Sequence, residues 1–463
     1  MHPALIASTD SAAAQARLVR VVTASGWQEA AQGFGPAAAA FAQGQGYEGG
    51  SGQAIALPGA DGGVAGWLFG ADAGARPDPF HLARLVAALP AGDYRVEGLQ
   101  GDAATAVLGF ALATYRFGRY KSKGAAKAIR LVVPDGVDAD AVSRQAEAVA
   151  FGRDLVNTAA NDLGPAELEN AARALAARMR ASVRVTVGDD LLRDNFPVIH
   201  TVGRASTRPP RLIDISWGDA SHPRVTLVGK GVCFDTGGLN IKNDAGMLLM
   251  KKDMGGAATA LAAAQMIADA RLPVRLRVLV PAVENSISGS AFRPGDVLKS
   301  RKGTTIEIGN TDAEGRLILA DALALADEEE PDLLIDFATL TGAARVALGP
   351  ELPPLYSDDD RLAADLMRLG FAINDPVWRM PLWRNYDAML DSKIADVNNT
   401  GGAFAGSVTA ALFLRRFVEK AKAWAHFDVY NWIPSGKPGR PDGGEVQAAR
   451  LVFALLQERY PAK

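Results

Sequence analysis

The chain has a single cysteine in 463 residues, Cys233, so no disulfide can form within it and no cysteine cluster can hold a metal. Histidine is almost as scarce. The five present are His2, His81, His200, His222 and His426, and no two stand at a ligand spacing, which excludes the usual His-rich zinc site. An excess of charge is missing too. The 49 Lys plus Arg against 52 Asp plus Glu leave −3, with no global pull toward nucleic acid or anionic membrane. No charge-free apolar run reaches the roughly 18 residues of a membrane span, so none is expected. The opening residues MHPALIASTDSAAAQARLVR place no apolar segment behind a basic start, and are expected not to act as a secretory signal. A cytoplasmic location is the expectation.

What is present reads as globular protein. Hydrophobic residues make up 48% and charged residues 22%, and the length corresponds to roughly two to four domains. Residues 1–134 alternate short strand and helix patterns, with strands expected at Leu18–Val22, Ala54–Pro58, Val64–Phe69 and Ile129–Pro134. Helical spacing covers Asp78–Leu89 and Asp102–Phe117. A helix expected over Asp138–Thr158 connects this smaller N-terminal α/β domain (1–134) through 135–160 to a larger α/β domain (161–463). There, apolar strands at Val225–Val228, Val274–Val280, Asp332–Ala338 and Trp424–Val429 alternate with helical stretches at 255–270, 316–328 and 406–422. That rhythm predicts a mixed, mostly parallel central sheet flanked by helices, with sites in the loops after its strands.

Several motifs carry less than their spelling promises. Gly44-Gln45-Gly46-Tyr47-Glu48-Gly49 fits a dinucleotide fingerprint but neither follows a strand nor opens a helix, and is read as a loop. Gly229-Lys230 lacks the first glycine and the Ser/Thr of a phosphate loop. Cys233 and His426 both sit in strand patterns and are read as buried core, the histidine with its hydrogen bonds satisfied.

Charge concentrates in two glycine-rich segments. Val228–Ala258 contains Lys230, Asp235, Lys242 and Asp253; Ile306–Leu317 contains Asp312, Glu314 and Arg316. Extension past Ile308 would set 312, 314 and 316 on one face by the two-residue period of a strand. From the residues alone two readings stay open. Asp253 stands where it would cap the helix that follows, and the other acids could be loop residues paired with lysines. Alternatively, four converging carboxylates would repel one another unless two divalent cations neutralised them. Oxygen ligands without His or Cys favour exchangeable manganese, magnesium, cobalt or zinc.

These segments resemble the leucyl aminopeptidase (cytosol aminopeptidase) family, whose signature Asn310-Thr311-Asp312-Ala313-Glu314-Gly315-Arg316-Leu317 matches at every position. The resemblance extends to Asp154–Thr158, to Ser288-Gly289 with Arg293–Val297, to Asp336–Gly342, to Ala395-Asp396 and to Trp424–His426. It covers about 150–430, with residues 1–134 matching loosely. It implies a metalloaminopeptidase using a two-metal-activated bridging water, with Lys230, Asp235, Asp253 and Glu314 on one ion and Asp235, Glu314 and Asp312 on the other. Lys242 would stabilise the oxyanion and Arg316 would hold a bicarbonate general base. Met250, Asn310, Thr339, Leu340 and Gly342 would contact substrate, favouring an apolar, Leu-like first residue. A homohexamer is implied as well. Asn243 stands where the family commonly has Pro, and Thr236 where it has Ser. A competing role in DNA binding rests on 116–130, with six basic residues, no acid and two aromatics.

Overall fold

Alternate apolar residues of the early strands point inward, as the two-residue period requires: Val19 and Val21 are buried while Leu18 and Arg20 are half-buried. The computed structural model describes residues 1–71, 78–122 and 127–462. They form two compact units, residues 1–150 with 435–442, and 151–434 with 443–463. The division falls inside the helix Ala139–Asn157. Residues 435–442 therefore group with the first unit, although the sequence boundaries leave them in the second.

In the first unit, strands β1 (Leu5–Ile6), β2 (Arg17–Val22), β3 (Ala54–Pro58), β4 (Val64–Gly70), β5 (Gly92–Glu97) and β6 (Ile129–Val132) form one sheet. Its order is β1-β6-β5-β2-β4-β3, parallel except for β3. The sequence reading passed over β5, whose buried face amounts to little more than Tyr94. Gln45–Gly49 is a loop that follows the helix Ala38–Gly44, so the motif neither follows a strand nor opens a helix.

The second unit is built on β7 (Ser182–Val187), β8 (Arg211–Trp217), β9 (Arg224–Gly229), β10 (Gly231–Asp235) and β11 (Arg275–Asn285). A small side sheet holds β12 (Val297–Lys299), β13 (Thr305–Glu307) and, later in the chain, Val397–Asn398. The main sheet is completed by β14 (Leu333–Ala338), β15 (Pro354–Tyr356), β16 (Trp378–Arg379) and, following Val397–Asn398 (β17), β18 (Trp424–Asp428). Its order is β16-β15-β18-β14-β9-β11-β8-β7, with β10 also against β11. β18, β14, β9 and β11 run parallel, and antiparallel neighbours close both sides. This is the mixed, mostly parallel α/β sheet expected, its parallel strands apolar almost throughout because helices cover both faces.

β9 and β10 lie in line along β11 and are interrupted at one residue, Lys230. Its N–H bonds to Phe337 O of β14 and its carbonyl accepts from Ala257 N, so the break costs no backbone hydrogen bond. The helix Gly255–Asp269 packs close behind it because glycines let it. A Cβ on Gly256 would lie 2.1 Å from Phe337 O, and one on Gly229 2.6 Å from Ala257 Cα. The helix expected at 406–422 ends at Arg415. Asp327 accepts the N–H groups of Glu419, Lys420 and Ala421, which draws the backbone out of the helical path.

Candidate active site

The carboxyl ends of β9, β10, β14 and β18 deliver Lys230, Asp235, Thr339 and Asp428 to one cleft of about 520 Å³. After β10 the chain reverses through Gly237 and Gly238, at φ +87° and +64°. A Cβ on Gly238 would stand 2.9 Å from Thr311 Oγ1. The reversal lets Gly237 N donate to Asp235 Oδ1 at 2.8 Å and brings Lys242 Nζ back to Asp235 Oδ2 at 2.8 Å. Lys242 also pairs with Asp312.

Lys230 Nζ is the second hub. It lies 2.9 Å from both Asp253 oxygens, 2.9 Å from Glu314 Oε1 and 2.9 Å from Thr339 O. Room for it depends on Gly315, where a Cβ would sit 2.7 Å from the Lys230 side chain. Asp253 does not cap the helix behind it. It belongs to the single turn Met250–Met254, the helix N-cap is Met254, and the Asp253 carboxylate is taken by Lys230 and Thr339 Oγ1 instead. The single strand face expected for 312, 314 and 316 is likewise absent. Asn310 Oδ1 accepts Asp312 N and turns the chain, so Glu314 and Arg316 enter on the first turn of the helix Glu314–Asp327.

Four carboxylates meet two ammonium groups here, and most of them are buried. Burial, then repulsion from Asp235, pushes Glu314 up to about 8; burial, then Asp253, pushes Asp235 to about 6. Burial opposes charge on Lys230 and Lys242, but the surrounding carboxylates outweigh it and raise both. Among the described residues, Asp253 Oδ2, Asp312 Oδ1 and Glu314 Oε1 are buried with a lysine ammonium as their sole polar neighbour, and Glu314 Oε2 has no hydrogen bond. Asp235, Asp312 and Glu314 can each offer an oxygen within 4.8 Å of the others. Clustered, largely buried carboxylates in excess over cations are the donor set of a hard divalent ion.

The remaining residues singled out in the sequence line the same cleft: Met250, Asn310, Arg316, Thr339, Leu340 and Gly342. Arg316 is buried, which lowers its pKa to about 10, and Nη1 donates to Asn399 O at 2.7 Å while Nε has no hydrogen bond. Asn243 caps the short helix Asp244–Met247 through Gly246 N, and Thr236 Oγ1 donates to Asn285 O, so the two departures from the family pattern serve the loop. Cys233 is buried, as expected. His426 is core, with Nδ1 2.5 Å from Asp336, but Nε2 has no partner and is not satisfied as expected.

Sequence reasoning missed several residues. Asn285 Nδ2 holds Asp235 Oδ1 at 2.8 Å, and Asn399 braces Gly309 and Asn310. Asp428 accepts Leu340 N and Thr341 N. Lone Asn and Asp residues in strands or loops carry no spacing signal. Lys252, Arg345 and Tyr430 also line the cleft. Half of the basic residues in the 116–130 segment are hydrogen-bonded within the chain: Lys127 Nζ donates to Val86 O at 3.0 Å, Arg130 Nε to Asp93 at 2.7 Å, and Arg116 to Ala113 O. Residues 123–126 of that segment lie outside the described residues.

An α/β sheet whose strand ends gather acids that could hold a divalent ion belongs, in this chain, to a metallo-exopeptidase hydrolase. More particularly, the chain is a member of the cytosol aminopeptidase family. Residues 150–452 match that family's catalytic domain and 13–134 the M17 aminopeptidase N-terminal domain. It is 42% identical over 369 residues to a protein named "Probable cytosol aminopeptidase" from Syntrophotalea carbinolica, covering 76% of this chain and 74% of the other. The counterpart from Xanthobacter autotrophicus is 41% identical over 85% of this chain and 81% of its own. Among solved structures, a cytosol aminopeptidase from Coxiella burnetii superposes with a TM-score of 0.93 at 42% identity, covering 99% of each chain. The bottromycin maturation enzyme BotP in complex with Mn gives 0.84 at 32% identity, over 96% of this chain and 99% of that one.

Proposed function

We propose that the chain releases the N-terminal residue of peptides by hydrolysis at a pair of divalent ions. The observation that carries this reading is the convergence of four carboxylates on two ammonium groups, with Asp235, Asp312 and Glu314 each able to offer an oxygen within 4.8 Å of the others and Glu314 Oε2 buried without a hydrogen bond. Lys230, Asp235, Asp253 and Glu314 would hold one ion; Asp235, Glu314 and Asp312, the last also through its carbonyl, would hold the other. Bound there, the ions supply Lewis acidity and an activated bridging water at neutral pH. Manganese or zinc suits the set best, magnesium or cobalt less well, and the manganese complex of BotP supports the first.

The chain's own residues do the rest. Asp253 takes the free amine of the substrate, which limits cleavage to the first residue. Lys242 keeps its proton beside Asp235 and Asp312 and faces the charge that develops on the scissile carbonyl oxygen. Lys230 can bind a metal only as the neutral amine. A divalent ion among the same oxygens reverses the bias that holds its proton on. The buried Nε of Arg316 has a hydrogen bond to give and no taker among the described residues, which supports an anion such as bicarbonate there as general base. Met250 and Leu340, with Asn310, Thr339 and Gly342, form the wall for the first side chain, and the two apolar residues favour a Leu-like one. The working assembly is a cytoplasmic homohexamer acting on free peptides.

Release of nitroaniline from L-leucine p-nitroanilide with manganese added, beside the N-acetylated analogue and a chelator control, tests the reading. Cleavage of the free-amine substrate alone, abolished by chelator, is expected. Equal cleavage of the acetylated compound would overturn it.

A further inference from the structure

Lys252 is 4% exposed and set in the cleft wall two residues after Met250. Among the described residues its ammonium has no hydrogen bond and no carboxylate within ion-pair distance. Its one close partner is the Tyr430 ring, 4.7 Å from Nζ to centroid. Arg345 stands against the same ring, its Cζ 4.8 Å from the centroid, on an exposed side chain that also has no acid. The two nearest acids are already used. Asp253 is bound to Lys230 and Thr339, and Asp428 to Leu340 N, Thr341 N and the Thr341 hydroxyl. A buried cation is retained only with a compensating partner, and a ring face compensates weakly. An anion entering from the cleft would supply that compensation.

Resting on the aminopeptidase reading and extending it to a substrate class, we propose that Lys252, backed by Arg345 across Tyr430, recognises a carboxylate of the substrate. The enzyme then takes peptides bearing negative charge beside the scissile bond in addition to apolar ones. Two sources present that chemistry: an acidic side chain on the first residue, or the free main-chain carboxylate of a dipeptide.

Steady-state kinetics on two matched pairs separates them, using the manganese-loaded full chain. L-glutamate α-p-nitroanilide against the glutamine compound reads the side chain; Leu-Gly against Leu-Gly-amide reads the main-chain carboxylate. In one pair the charged member is expected to have the higher kcat/KM by about tenfold, expressed in KM. Lys252→Met should reduce that ratio to about one, and Arg345→Gln, an exposed change that leaves folding intact, should lower it about threefold. No preference for charge in either pair, with leucine p-nitroanilide still cleaved, would overturn the proposal. So would an unchanged ratio in Arg345→Gln together with an unchanged one in Lys252→Met. Failure to cleave leucine p-nitroanilide and both pairs would instead remove the aminopeptidase reading beneath it.

Discussion

Glu314 carries the electrostatic problem of the site in one side chain: it is fully buried, faces other acids, and has its pKa pushed up to about 8. A metal ligand must be the carboxylate, so ion binding has to displace that proton. With Asp235 at about 6 and Glu314 at about 8, metal affinity should rise as pH increases from about 6 to about 8. Calorimetry at pH 7 in buffers of different ionisation enthalpy should register net proton release on adding manganese, and a buffer-independent heat would contradict it. The two lysines divide differently. Asp253→Ala should lose metal, measured by plasma emission after gel filtration. Lys242→Ala should keep it while kcat falls by about 10²–10³-fold, the size of one lost oxyanion partner. Equal metal loss in both variants would make Lys242 a structural residue.

Elements place these groups through close approach and buried caps. The helix Gly255–Asp269 reaches the strand ends only because Gly256 has no side chain, since a Cβ there would sit 2.1 Å from Phe337 O. Gly256→Ala is therefore expected to destabilise by about 1–3 kcal/mol, read as a drop of several degrees in thermal midpoint. Asp321 shows the same logic in a titrating group. It is buried and accepts Val198 N, Ile199 N and Arg301 N, joining the start of the helix Pro197–Gly203 to the loop before β13. Burial raises its pKa from 3.8 to about 7, against the pull of those hydrogen bonds. The folded chain thus holds this proton more tightly than the unfolded chain. Its contribution to stability falls as pH rises from about 4 to about 7 and is level above that. Asp321→Asn has no such proton, so the variant should gain on the native chain across this window by up to about 4 kcal/mol. Thermal midpoints at pH 5 and pH 8 would measure it, and parallel shifts in the two proteins would refute it.

Across the whole molecule, the expected homohexamer makes a simple demand on sedimentation: the particle should have six times the chain mass. A mass near one subunit would refute that assembly. No helix among the described residues is long and apolar enough to cross a membrane. Duplex DNA offers a further comparison at this scale. Three of the six basic residues in 116–130 are hydrogen-bonded within the chain, so micromolar protein should show no salt-sensitive DNA binding.

The sequence by itself determined the two-unit α/β plan, because apolar runs of strand and helix length are local and need no partner to be read. It also marked the two segments that line the cleft, since Asn310–Leu317 and Val228–Ala258 are contiguous stretches of unusual composition. Tertiary structure alone decided how those stretches meet. Parallel pairing of β9 with β14 sets Lys230 beside Phe337, and this brings Asp253, Glu314 and Thr339 within 2.9 Å of one ammonium. It turned Asp253 from an apparent cap into a buried ion-pair partner, because its carboxylate is held by Lys230 and the Thr339 hydroxyl. It replaced a strand face at 312–316 with a turn and a helix start, because Asn310 bonds Asp312 N. Asn285, Asn399 and the Lys252, Tyr430 and Arg345 wall were illegible for the same reason. Each is an ordinary residue in its own segment and acquires a role only from neighbours far along the chain.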